Sequence, residues 1–81
     1  MMKEERVKIL IPYIWDLFKR YLNNTGVIVK SEDTLASLFM RGEEDVKEFI
    51  KLLNKKANES RCGVKIAYQE NITYKQVILQ L

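Results

Sequence analysis

Histidine is absent from the 81-residue chain, and cysteine occurs once, at Cys62. The first absence removes the commonest general base at neutral pH. Together they come close to excluding a zinc site, and a lone cysteine leaves no internal disulfide. No apolar run approaches the roughly 18 to 20 residues that span a bilayer. The opening Met1-Met2-Lys3-Glu4-Glu5-Arg6 is too charged for a secretory leader. Gly-rich phosphate loops, paired-carboxylate sites and nucleophile motifs are missing as well. The expectation is a soluble, cytoplasmic, non-enzymatic protein with no cofactor, no metal and no membrane partner.

What is present suits one small domain over residues 1–81. Hydrophobic residues make up 47% of the chain, a globular value. A chain this short builds only a thin core, which makes a second subunit a reasonable source of further burial. The net charge of +3 is unevenly spread. Residues 1–24 carry five bases and three acids, residues 25–50 three and six, and residues 51–81 six and two. Basic ends around an acidic centre can mark a nucleic-acid surface.

The hydrophobic period changes near the three glycines, Gly26, Gly42 and Gly63. Val7, Leu10, Ile11, Ile14, Leu17, Phe18, Tyr21 and Leu22 recur at spacings of three and four. They predict a helix over Lys3–Asn24, kinked or restarted at Pro12 and capped by Asn23-Asn24-Thr25-Gly26. Val27-Ile28-Val29 predicts a short strand. Ser31 reads as the N-cap of a second helix over Glu32–Met40 that buries Leu35, Leu38 and Phe39. After the turn at Arg41-Gly42, Val46, Phe49, Ile50 and Leu53 predict a third helix from Glu43 to about Glu59. Val64, Ile66 and Tyr68, then Val77, Leu79 and Leu81, alternate with polar or opposite-facing neighbours and predict a β-hairpin turning near Glu70-Asn71.

That order, α-β-α-α-β-β, resembles the winged helix-turn-helix family of DNA-binding domains, an α+β fold. The resemblance covers nearly the whole chain and centres on Thr34 through Ile50. Ala36 takes the place of the small residue where two crossed helices approach. Met40 stands where the family often has glycine, and Gly42 follows two residues later. Stand-alone winged helices of this size are similar to the small regulators of archaeal viruses and plasmids, and abundant Lys, Ile and Asn suit an AT-rich genome. The resemblance implies a transcription regulator that binds double-stranded DNA with its third helix and a hairpin wing, in the host cytoplasm if viral. Lys47 and Lys51 would lie at the major groove, with Lys55, Lys56, Lys65 and Lys75 on phosphates and Asn71 and Thr73 adding hydrogen bonds near the wing.

Two features pull the other way. The outward positions at the start of the third helix include Glu43, Glu44 and Glu48, which would oppose phosphates. The plainer role of Glu43, Glu44 and Asp45 is to stabilise the helix start, with Glu43 paired to Lys47. The basic positions, Arg61 among them, are equally an ordinary solvated surface. The first helix has an apolar arc broad enough either to serve the core alone or to pair with its copy in a homodimer through Ile9, Tyr13 and Trp15. A protein-docking module without nucleic-acid binding is the alternative function. Cys62 reads as a small buried residue.

Overall fold

The computed structural model describes Met1–Asn24 and Gly26–Leu81. Four helices follow in order: α1 (Lys3–Tyr21), α2 (Leu35–Leu38), α3 (Glu43–Glu59) and α4 (Tyr74–Ile78). α1 runs unbroken through Pro12, which lies on its exposed side. There water can reach the carbonyl that proline leaves without a donor. The helix stops three residues short of the predicted end because Leu22 turns extended and pairs with Phe39. Asn23 N–H donates to Leu38 O and Met40 N–H to Tyr21 O on either side of that bridge. The expected cap therefore does not form at Asn23-Asn24; its Thr25 lies outside the described residues.

α1 and α3 pack antiparallel. Tyr13 meets Lys56, Phe18 meets Phe49 and Tyr21 meets Glu48. Each helix places its i, i+3, i+4 stripe in the shared core: Leu10, Ile14, Leu17 and Phe18 from α1, and Val46, Phe49, Ile50, Leu53 and Ala57 from α3. The Phe18 ring is the aromatic centre. It stacks on Phe49 at 5.7 Å and meets Phe39 at 6.0 Å, Trp15 at 5.1 Å and Tyr74 at 5.7 Å.

The α+β winged-helix architecture is not what the chain adopts. Among the described residues there is no β-sheet, only two isolated antiparallel bridges, Leu22–Phe39 and Thr34–Thr73. Val27-Ile28-Val29 has no strand partner; Ile28 is exposed and only Val29 is buried. The second helix is one turn, Leu35–Leu38, with Thr34 rather than Ser31 as its N-cap. Ser31 instead offers its carbonyl to Lys75 N–H.

The hairpin fails for two separate reasons. Residues 62–69 form neither helix nor strand, and the peptide groups of Ile66 and Ala67 go to side chains. The Asn54 amide binds both Ile66 N–H and Ile66 C=O, at 2.6 and 2.9 Å. The Gln80 amide binds Ala67 N–H and C=O, at 2.7 and 3.4 Å. The intended second strand is helix α4 instead. Thr73 and Gln76 form a reciprocal capping box at its start, and Val77 and Leu81, four residues apart, are buried while Leu79 is 66% exposed. What pairs across the molecule is the two helix entrances: Leu35 N–H donates to Ile72 O and Tyr74 N–H to Asp33 O.

Candidate functional site

α3 carries exposed charges of one sign at a regular spacing. Its buried stripe faces α1, leaving Glu44, Lys47, Glu48, Lys51, Lys55, Asn58 and Glu59 exposed. Lys47, Lys51 and Lys55 follow at intervals of four, so their Cα atoms rise about 6 Å per step along one flank. None of the three makes an ion pair among the described residues; the pairs present are Asp16–Lys19, Arg41–Asp45 and Arg41–Glu48.

The acids at the start of α3 have a different fate from the lysines. Gly42, with φ +58° and ψ −131°, is the N-cap and occupies a backbone region essentially reserved for glycine. That turn brings Arg41 back over the helix. Asp45, 2% exposed, accepts the Arg41 backbone N–H at 2.8 Å and its guanidinium at 2.8 to 2.9 Å. This contact, in the positively polarised first turn, is what makes a buried carboxylate tolerable. Glu48 accepts the Tyr21 hydroxyl at 2.7 Å on one oxygen and Arg41 at 3.2 Å on the other. Burial, reinforced by the Glu48 carboxylate, pushes the Tyr21 phenol up to about 12.

Glu43 does not pair with Lys47. Its two oxygens accept the Tyr68 hydroxyl at 2.8 Å and the Asn71 N–H at 3.0 Å. The first of these bonds raises the Tyr68 pKa. Lys47 stands over the Tyr68 ring, 5.7 Å from its centroid. Glu43 thus ties the loop before α4 to the head of α3, and Asn71 takes φ +60° to reach it. Of the acids in this stretch, Glu44 alone is exposed without a partner among the described residues.

The expected site residues divide into groups. Lys47, Lys51 and Lys55 share the exposed flank of α3. Lys56 lies partly buried on the side facing α1, its ammonium 5.5 Å from the Tyr13 ring centroid. Lys65 lies in the segment after α3, across a groove from Asn58 and beside Arg61. Asn71 and Thr73 sit near the N-terminal end of α3, in the link that opens α4, and the Thr73 hydroxyl accepts Gln76 N–H. Lys75 is on α4, away from the α3 flank, so no wing assembles it with the others. Of the residues expected at a dimer contact, Ile9 and Tyr13 are partly buried against the chain's own core. Trp15 is 42% exposed and meets Phe18 and Tyr74 edge-on.

Sequence reading missed Asn54 and Asn58 as members of the surface. Their spacing of four puts them on one helix flank, which marks a polar strip beside the lysines. Cys62 is buried, as expected. Among the described residues no cluster of potential metal ligands forms, and no helix is long and apolar enough to cross a membrane.

Comparison of the chain with known protein families, curated proteins and solved structures finds no match.

Proposed function

We propose that the chain binds double-stranded DNA by laying the exposed flank of α3 in the major groove. The observation that carries this reading is the sorting of charge on α3. Glu43, Asp45 and Glu48 are held by groups of their own chain, whereas Lys47, Lys51 and Lys55 project without an ion-pairing partner among the described residues. These bonds hold three of the acids against the chain's own groups, and the Arg41 guanidinium offsets part of the charge that would repel phosphates. The single turn α2 packs against α3, and that contact supports the reading by bracing the helix. The hairpin wing has no part in this reading.

A salt titration of duplex binding tests the proposal. Replacing Lys47, Lys51 and Lys55 together by Gln should reduce the salt slope by up to about 2.7, or roughly 0.9 per phosphate contact. Absence of duplex retardation by the wild-type chain at about 50 mM salt, where backbone contacts are strong, defeats it. That result would favour the protein-docking alternative, which draws support from the exposed apolar side chains of Trp15, Val27 and Ile28.

A further inference from the structure

A second feature lies at the far end of the same helix, where α3 stops and the chain doubles back. We infer that the groove between the C-terminal half of α3 and residues 61–65 is a binding site for a phosphate ester, filled by a nucleotide unit of the nucleic acid that α3 engages. The inference rests on the reading of α3 given above.

The groove is open to solvent, offers about 710 Å³ and is lined by Asn54, Asn58, Arg61, Gly63, Val64 and Lys65. Two side chains in that lining are cationic and none is acidic. Glu59, the nearest acid in the sequence, is displaced by about 100° around the helix from Asn58. That space is wide enough to admit a phosphate together with its sugar.

A helix C-terminus ordinarily disfavours an anion because its last carbonyls carry partial negative charge. Here those carbonyls are already occupied. Lys56 O accepts Ser60 N–H, Ala57 O accepts Cys62 N–H and Asn58 O accepts Arg61 N–H, at 2.9, 2.9 and 3.1 Å. Donors remain in surplus. The side chains of Asn58, Arg61 and Lys65, and the N–H groups of Gly63, Val64 and Lys65, have no partner among the described residues. Asn54 is committed to Ile66 at both ends of its amide, so it holds that segment at a set distance from α3 and keeps the groove open.

Arg61 adds a second argument. It sits at φ +55°, with Gly63 at φ +72° two residues on. That setting closes the helix: with Arg61 N–H on Asn58 O and Cys62 N–H on Ala57 O, it is the left-handed turn that commonly ends a helix. The turn places Arg61 in the groove lining, and its guanidinium fork is the group best matched to phosphate oxygens.

Two ligands and one double variant decide the matter. Backbone amide resonances of the wild-type chain are followed during titration with a short DNA duplex and, separately, with a nucleoside 5′-monophosphate. R61Q/K65Q is then compared with wild type in the salt titration after circular dichroism shows that it is folded. The expected result is that the duplex shifts Gly63, Val64 and Lys65 together with Lys47, Lys51 and Lys55. The double variant should then bind on the order of 50-fold more weakly at 0.1 M salt, with the slope reduced by about 1.8. Shifts of the groove by both ligands uphold the site as well. Shifts by the mononucleotide alone keep the phosphate-ester site, with a free nucleotide as its source, and remove the reading of α3. Shifts by the duplex on α3 alone, with R61Q/K65Q binding as wild type, overturn the groove and leave that reading standing. No shift at either place with either ligand overturns both.

Discussion

The Tyr21 hydroxyl donates to the Glu48 carboxylate at 2.7 Å, joining the last turn of α1 to the exposed flank of α3. The bond fixes one acid of that flank against the protein's own phenol and Arg41, and it gives the fold a measurable dependence on alkaline pH.

Tyr21 holds its proton to about pH 12 in the folded chain, against an ordinary value of 10.0. Between those values the unfolded chain binds fewer protons than the native one, so the stability from this group is complete below pH 10 and is lost as pH rises toward 12. Tyr21→Phe removes the titrating group. Denaturant unfolding of both proteins across this window should show the wild type losing stability more steeply; parallel curves would contradict the assignment.

Asn54 is the only side-chain partner of the Ile66 peptide groups among the described residues, and Ile66 is 1% exposed. Asn54→Ala should cost about 2–3 kcal/mol, because a buried donor and acceptor are left unpaired. The denaturation midpoint gives the size of the loss, and faster hydrogen exchange at the Ile66 amide gives its location.

Thr73 closes the capping box of α4 with Gln76. Thr73→Ala should lower stability by about 1 kcal/mol. If residues 72–81 formed a strand, the same change would remove no cap and leave helical circular dichroism unaltered.

Glu44 is the exposed, unpaired acid of the proposed binding flank. Glu44→Gln should tighten duplex binding roughly two- to fivefold at 0.1 M salt by removing repulsion from phosphates. It should change stability by less than about 1 kcal/mol, the worth of an acid at a helix start. Weaker binding by this variant would count against the flank.

The helices that form the core were readable from periodicity. α3 spans Glu43–Glu59 as its apolar spacing and acidic start imply, and Val46, Phe49, Ile50 and Leu53 are buried. α1 was readable except for its last turn, which yields to a long-range bridge between Leu22 and Phe39. The final third misled for reasons that lie in chemistry rather than period. Of the alternating Val64, Ile66 and Tyr68, only Ile66 is buried, and the segment joins no strand. Its partners are the amides of Asn54 and Gln80, which leave no periodic trace. Val77, Leu79 and Leu81 alternate, but Val77 and Leu81 also stand four apart, and Thr73-Tyr74-Lys75-Gln76 has the spacing of a capping box. Weighing that tetrad would have favoured helix. On α3, the sequence showed which residues are charged. It did not show that Glu43, Asp45 and Glu48 turn to Tyr21, Arg41, Tyr68 and Asn71 while Lys47, Lys51 and Lys55 make no ion pair among the described residues, since each of these pairings except Arg41–Asp45 spans more than one helical turn.

The two amides that clasp Ile66 and Ala67 have a consequence for the molecule's colloidal behaviour. A lone β-prone stretch ordinarily invites copies of itself to stack edge to edge into fibrils. Here Asn54 blocks one border at its midpoint and Gln80 blocks the other, so an incoming chain meets no uninterrupted ladder on which to polymerise.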